Sequence, residues 1–354
     1  MTLEHPAPAR SLDELTVAQG SVDVVALGAS AGGVEALSAV VASLPSTVDC
    51  AVLVVLHVSE SGTSVMPEIL SRAGPLPAAN AIDGEPLLAG RVYVAPPAHH
   101  LTIEGGRARV DQGPRENGHR PAIDPLLRTL GDAFGPRAAG VILSGARDDG
   151  TAGLYSLKRC GGVALVQDPG TALYPSMPTS AVEHVEVDAI LPLDQLGPAI
   201  ARLAGRRRPA PGAPLAPQRQ GGQSGDVENG RSSRFTCPDC GGVLFEYRDG
   251  TLQRFRCSVG HAYSFDSLVE RQAHQLEAAL WAAARTLEDR ALLLRRMERD
   301  SRDRGHERSA GVFEAKAVAA AEQASAIRAA VEAGAAATPP SPPEEPAAPP
   351  EVRR

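Results

Sequence analysis

VDVVALGASAGGVEAL, residues 22–37, is the stretch on which the reading of this chain turns. Its first half is a short apolar run, as expected of a strand buried on both faces. The strand ends at Gly28, a helix begins near Gly33, and Ser30 lies on the turn between them. Glycines there allow a tight backbone and close approach of a bound group. A helix start also presents free N–H groups, which can stabilise an oxyanion or hold a phosphate. Gly28-Ala29-Ser30-Ala31-Gly32 matches G-x-S-x-G in letters. The loop alone fits a nucleophilic serine and a phosphate-binding turn capped by Ser30 about equally well.

Working outward, the same alternation continues to about Leu203. Short apolar runs occupy 22–27, 51–58, 91–96, 138–145, 161–168 and 187–193, and helix-like segments occupy 34–44, 122–134 and 150–160. Strands alternating with crossover helices predict an α/β class, a doubly wound and mainly parallel sheet with helices on both faces. LTIEGGRARVD, residues 101–111, reads as a hairpin with a Gly-Gly turn at a sheet edge.

His57 ends the second run, AVLVVLHV, which places it at the carboxyl end of a strand beside Ser30. Catalytic groups of open α/β sheets gather at that edge. A third polar cluster follows the run at 138–145, where Asp148 and Asp149 precede a helix start. One carboxylate can orient an imidazole while the other caps the helix or faces solvent. The chain order Ser, His, Asp differs from the Ser, Asp, His order of α/β-hydrolases. A nucleotide-binding reading of the Gly28–Gly33 loop lacks the P-loop lysine and the spaced G-x-G-x-x-G pattern.

The remainder is organised differently. Residues 1–20 form a polar lead-in without a secretory pattern, and 205–234 are a Pro-, Gly- and Arg-rich linker. The module at 235–263 holds CPDCGG at 237–242 and CSVGH at 257–261. Cys237, Cys240, Cys257 and His261 have zinc-ribbon spacing and predict a structural Zn²⁺, with Asp249-Gly250 turning a hairpin between the two knuckles. The linker implies that removing the metal unfolds the module and spares the hydrolase. Residues 264–335 predict a helical hairpin broken near 303–311, with a coiled-coil-like seam at 276, 280, 283, 287, 291, 294 and 297. The Pro-rich tail at 336–354 is expected to be disordered.

Of 354 residues 43% are apolar and the net charge is −7, which disfavours nucleic acid or an anionic membrane as partner. No apolar run of membrane-spanning length exists, and three of the five cysteines sit at metal spacing. A reducing cytoplasm follows as the expected compartment.

LGASAGGVEAL, VVLHV, YVAPPAHHL, SGARDDGTAGL and QDPGTALYPSMPTSAV, in this order, resemble the signature blocks of the CheB methylesterase catalytic domain over residues 21–204. The resemblance implies a protein-glutamate methylesterase of a chemotaxis or related signalling system. Its nucleophile would be Ser30, its base His57 and its triad acid Asp149, with Met177 and Pro178 in a loop near the site. It further implies methanol release without a catalytic cofactor, and glutamine deamidation by the same acyl chemistry. A methylated chemoreceptor or other signalling protein would be the substrate. Ala31, Leu56, Val58 and Ala146 depart from residues common in the family and bear on the substrate cleft. The blocks begin within about 20 residues of Met1, so control by an N-terminal receiver domain is not expected. The competing expectation is a non-enzymatic scaffold that binds partners through the C-terminal module and helices.

Overall fold

The computed structural model describes residues 21–58, 64–204 and 230–337; the lead-in, most of the linker and all but the first residues of the tail lie outside the described residues. The chain divides into two units, Met1–Val269 and Glu270–Arg354.

In the first unit seven parallel strands form one sheet. They are β1 (Val24–Ala29), β2 (Ala51–Leu56), β3 (Ala78–Asn80), β4 (Val92–Val94), β7 (Ala138–Ile142), β8 (Val163–Gln167) and β9 (Ala189–Leu191), in the order β3-β4-β2-β1-β7-β8-β9. Each of the six apolar runs supplies one strand. β3 is the strand that the pattern missed, because Ala78, Ala79 and Asn80 are neither branched nor fully buried. Alternate residues of β1 feed two cores. Val25, Leu27 and Ala29 pack with α1 (Gly33–Ala42), α2 (Met66–Ala73) and α6 (Leu193–Leu203). Val24 and Ala26 pack with α3 (Ile123–Phe134), α4 (Thr151–Arg159) and α5 (Ser176–His184) on the other face. The result is the doubly wound arrangement, in which burying each Val or Leu contributes roughly 1.5–3 kcal/mol. The chain winds outward from β1 to β2 and β4, then returns to place β7 on the other side, so the order reverses at β1.

Two local expectations change. The hairpin of β5 (His100–Glu104) and β6 (Arg107–Asp111) forms a separate two-stranded sheet instead of an edge of the main one. Leu101, Ile103 and Ala108 are seated in the core beside α3, and the Ile103 amide donates to Thr129 Oγ1 at 3.0 Å, so the hairpin covers a helix. Met177 and Pro178 lie in the first turn of α5, not in a loop.

The cysteine module is a four-stranded antiparallel sheet of β10 (Arg231–Thr236), β11 (Val243–Asp249), β12 (Leu252–Cys257) and β13 (Ala262–Ser264). β10 begins inside the stretch expected to be linker. Leu244, Phe255, Tyr263 and Leu268 make its small core. The expected separation from the parallel sheet does not hold. Arg254, buried, bonds Asp124 Oδ2 at 2.8 Å, and the Asn117 amide donates to Ala262 O at 2.7 Å. The module therefore shares buried polar groups with the parallel sheet's own loops, which a segment joined only by a linker would not do.

In the second unit α7 (Phe265–Asp303), which starts in the first, turns back into α8 (Glu307–Ala337). Arg302 meets Glu314 at 3.1 Å and Arg328 meets Glu288 at 2.6 Å, a pairing that makes the two helices antiparallel. The buried stripe is Ala284 and Ala291 on α7 and Ala310, Ala317, Ala324 and Val331 on α8. Leu280, Leu287 and Leu294 flank it, half-buried, whereas Leu276, Ala283 and Met297 are exposed. Small side chains occupy the contact and let the backbones approach, which moves the seam off three of its expected positions.

Candidate active site

Register brings the first two side chains together. Ala29 of β1 pairs with Leu56 of β2, and the His57 amide extends that ladder to Ala29 O at 3.2 Å. Ser30 and His57 are thus the next residues beyond a paired strand end. Gly32 follows with φ of 67°, a left-handed turn that starts α1 and that a side chain would strain.

Ser30 Oγ lies 3.1 Å from His57 Nδ1, and His57 Nε2 lies 2.7 Å from Asp149 Oδ2. The imidazole and the carboxylate are nearly buried, with 7% and 3% of their side chains exposed. Asp149 arrives from the turn after β7, across the sheet reversal. Its Oδ2 also accepts the Ile123 amide at 2.7 Å, and its Oδ1 accepts the Asp124 amide at 3.3 Å and Asn117 Nδ2 at 2.7 Å. Two of those donors are the first amides of α3, unpaired within the helix and oriented to bind an anion. Burial works against the Asp149 charge, but the His57 hydrogen bond and charge and the Ile123 amide hold it well below the ordinary carboxylate range. An ionised Asp149 requires the proton of His57 on Nε2, which leaves Nδ1 free to accept from Ser30.

Asp148 points elsewhere and accepts Ser264 Oγ at 2.9 Å. Burial raises its carboxyl to about 6, with the Ser264 bond opposing. Gly145 explains how the loop comes so close to Ser30. A Cβ there would sit 2.1 Å from Met177 Sδ and 3.0 Å from Ser30 Cβ. The Gly145 amide donates to Tyr174 O at 2.9 Å and the Met177 amide to Gly145 O at 3.0 Å, stitching the two loops together.

Sequence reasoning overlooked the segment 116–124. His119 stacks on His57 with centroids 3.8 Å apart and rings 9° from parallel, which fixes the imidazole plane. Arg147 Nη1 lies 3.3 Å from His119 Nε2. Asn117 and Asp124 are buried behind Asp149. The signal was present as the dense polar run Glu116-Asn117-Gly118-His119-Arg120 ahead of a helix, and as Asp124 inside an otherwise apolar segment.

Cys237, Cys240, Cys257 and His261 converge with their ligand atoms within 4.8 Å of one another. The Cys240 and Cys257 sulfurs are 3.6 Å apart, and His261 Nδ1 lies 3.7 Å from Cys237 Sγ and 3.6 Å from Cys257 Sγ. Tetrahedral zinc with Zn–S bonds of about 2.3 Å places its sulfurs roughly 3.8 Å apart, so the donor set fits. None of the five cysteines is paired in a disulfide.

Comparison with known proteins adds the family. The CheB methylesterase family matches residues 25–200. A protein of Anaeromyxobacter dehalogenans named protein-glutamate methylesterase/protein-glutamine glutaminase 4 is 37% identical over 204 residues, 56% of this chain and 57% of that one. A Leptospira interrogans relative, provisionally named with the same pair of activities, is 36% identical over 182 residues, 51% of this chain and 94% of its own. The crystal structure of the Thermotoga maritima CheB methylesterase catalytic domain aligns at 29% identity over 52% of this chain and 99% of that chain, with a TM-score of 0.49. The chain spans about half the length of the first curated relatives it matches, at 57%, 53% and 52%. With nearly the whole Leptospira relative aligned and the family's region containing the Ser30, His57 and Asp149 cluster, the chain belongs to the CheB methylesterase family.

Proposed function

We propose that the chain hydrolyses glutamate γ-methyl esters on a signalling protein, a methylated chemoreceptor being the substrate class, with Ser30 as nucleophile, His57 as base and Asp149 as orienting acid. The observation that carries this reading is the continuous path from Ser30 Oγ through Nδ1 and Nε2 of His57 to Asp149 Oδ2, at 3.1 and 2.7 Å. Ser30 Oγ attacks the ester carbonyl while its proton passes to Nδ1. The Nε2–H stays on its bond to Asp149, whose charge stabilises the imidazolium. Collapse of the tetrahedral adduct expels methanol, which takes the proton from Nδ1. Water then gives a proton to Nδ1 and attacks the acyl-enzyme, and Ser30 leaves with that proton as glutamate is released.

The Ser30 amide donates to Ser144 O at 3.0 Å and the Gly33 amide to Ser30 O at 2.8 Å. The Ala31 and Gly32 amides, next to Ser30 at the helix start, are the donors assigned to the oxyanion in this reading. Side-chain amides of glutamine present the same carbonyl with ammonia as leaving group, and deamidation is the second reaction proposed. His119, by stacking on His57, holds the ring in line for both.

The Cys237, Cys240, Cys257 and His261 set holds a structural Zn²⁺ in this reading, supplying a cross-link and no chemistry to the ester. The α7–α8 hairpin, with Leu292 and Leu293 exposed, serves as an attachment surface for partner proteins. The unpaired cysteines support a cytoplasmic setting, and no described helix is long and apolar enough to cross a membrane. The test is methanol release from methylated receptor preparations by purified protein. Wild type should release methanol, and a folded Ser30→Ala protein should be slower by about 10⁴–10⁶-fold. Equal release by that variant would remove Ser30 from the reaction.

A further inference from the structure

We propose that Asn117 positions Asp149, and that the Cys/His module holds Asn117 in place, so that metal occupancy of the module sets how fast Ser30 reacts. The proposal rests on the triad reading above. Asn117 is 2% exposed and bridges two carboxylates, its Nδ2 donating to Asp149 Oδ1 at 2.7 Å and Asp124 Oδ2 at 2.8 Å. Rotated by half a turn, its amide would aim an oxygen at both anions. What prevents that rotation comes from the C-terminal segment. Asn117 Oδ1 accepts the Ser264 amide at 3.0 Å and Ser267 Oγ at 3.2 Å.

The second support is Arg254. Asp124 has no exposed surface, and its Oδ1 takes the Gly150 amide at 3.0 Å and the Gly153 amide at 2.7 Å. Those bonds fix the turn that carries Asp149. Arg254 supplies Asp124 with a buried cation at 2.8 Å, and without it two buried carboxylates would face each other through Asn117 with that charge lost.

The module's architecture links these supports to the metal ligands. Arg254 and Ser264 are register partners in the β12–β13 pair. Cys257 ends β12, and His261 directly precedes β13. A metal held by Cys257 and His261 therefore clamps one end of the hairpin whose other end delivers Arg254 and Ser264 to the back of the triad. Removing the metal frees that clamp, and the orientation of Asp149 loosens with it.

The test uses the full chain and a fluorophosphonate, which phosphonylates an activated serine with loss of fluoride and without any need for the natural ester. Its rate at Ser30 is read by peptide mass spectrometry, and the low-field proton resonance of the His57 Nε2–H reports the bond to Asp149. Chelator-stripped protein and Arg254→Ala should label at least about tenfold more slowly and lose or shift that resonance. Reloading with Zn²⁺ should restore the stripped protein, and Arg254→Lys should recover part of the rate. Labelling within about twofold of wild type, with the resonance unmoved, overturns the coupling. Should Arg254→Ala fail to fold, Ser267→Ala removes a single hydroxyl, and the expected slowing is about threefold. An unchanged rate there overturns the proposal equally. Absence of Ser30 labelling in wild type would instead overturn the triad reading, and the coupling with it.

Discussion

Asp148 and Asp149 are adjacent in the chain and opposite in circumstance. Asp149 is surrounded by donors: the Ile123 and Asp124 amides, Asn117 Nδ2 and the His57 ring. Asp148 is half-buried, with one hydroxyl as its hydrogen-bond donor. Asp149→Asn would replace an acceptor with an amide that favours the other His57 tautomer, putting a proton on Nδ1 where Ser30 needs an acceptor. The expected fall in kcat is about 10³–10⁴-fold with KM little changed. Asp148→Asn should leave kcat within about threefold and alter stability instead. The folded state raises the Asp148 carboxyl from 3.8 to about 6, so its ionisation opposes folding at higher pH and costs nothing below its unfolded value. The variant should therefore gain on the order of 1–3 kcal/mol at about pH 7–8 and converge with wild type below about pH 4. Asp149 has the opposite sign. Its depressed value stabilises the fold above the ordinary carboxylate range, and that contribution fades as pH falls through the folded value. Denaturant titrations across pH check both, and a stability loss for Asp148→Asn at neutral pH would contradict the assignment.

Elements converge on the site through loops that leave no room for side chains. The turn after β7 reaches Ser30 because residue 145 is glycine. Gly145→Ala would set a methyl group 2.1 Å from Met177 Sδ, and that buried side chain, at the first turn of α5, would have to yield. Overpacking of this kind costs about 1–3 kcal/mol, and it should also slow esterase turnover about tenfold or more by shifting the loop beside Ser30. Met177→Ala in the same protein should relieve part of the kinetic defect. Chemical denaturation with parallel kinetics tests this. Full activity in Gly145→Ala alone would show that the α5 turn adapts and takes no part in placing Ser30.

Taken whole, the first unit joins a seven-stranded parallel sheet and a metal-type ribbon through buried charge. Arg254 reaches Glu116 as well as Asp124, and Glu116 also receives Arg128 at 2.6 Å and Arg256 at 3.6 Å. Burial works against Glu116, yet the three arginines hold it below its ordinary value. Such a cluster ties the two parts into one cooperative structure, since removing one member strands the others without partners. Chelation should consequently lower the melting temperature of the sheet together with the module, by about 5 °C or more in a single transition. Calorimetry with and without chelator is the measurement. A separate low-temperature transition for the module, with the sheet's unmoved, would mean that the two fold independently.

Local pattern was enough for the doubly wound class, because strands buried on both faces must be nearly continuous apolar runs and their crossovers must be amphipathic. It was enough, too, to place Ser30, His57 and an acidic pair at strand ends, and to gather four soft ligands at ribbon spacing. The choice between Asp148 and Asp149 came from the resemblance to CheB blocks; local spacing left it open. What the tertiary structure alone decided depends on distant partners. Asn117 and His119 act on residues that the sheet reversal brings beside them, and Arg254 meets Asp124 across 130 positions of chain. The flexible composition after residue 204 suggested independence for the ribbon. Docking is determined by buried charges that must find partners, and that requirement is invisible until the fold shows which charges are buried.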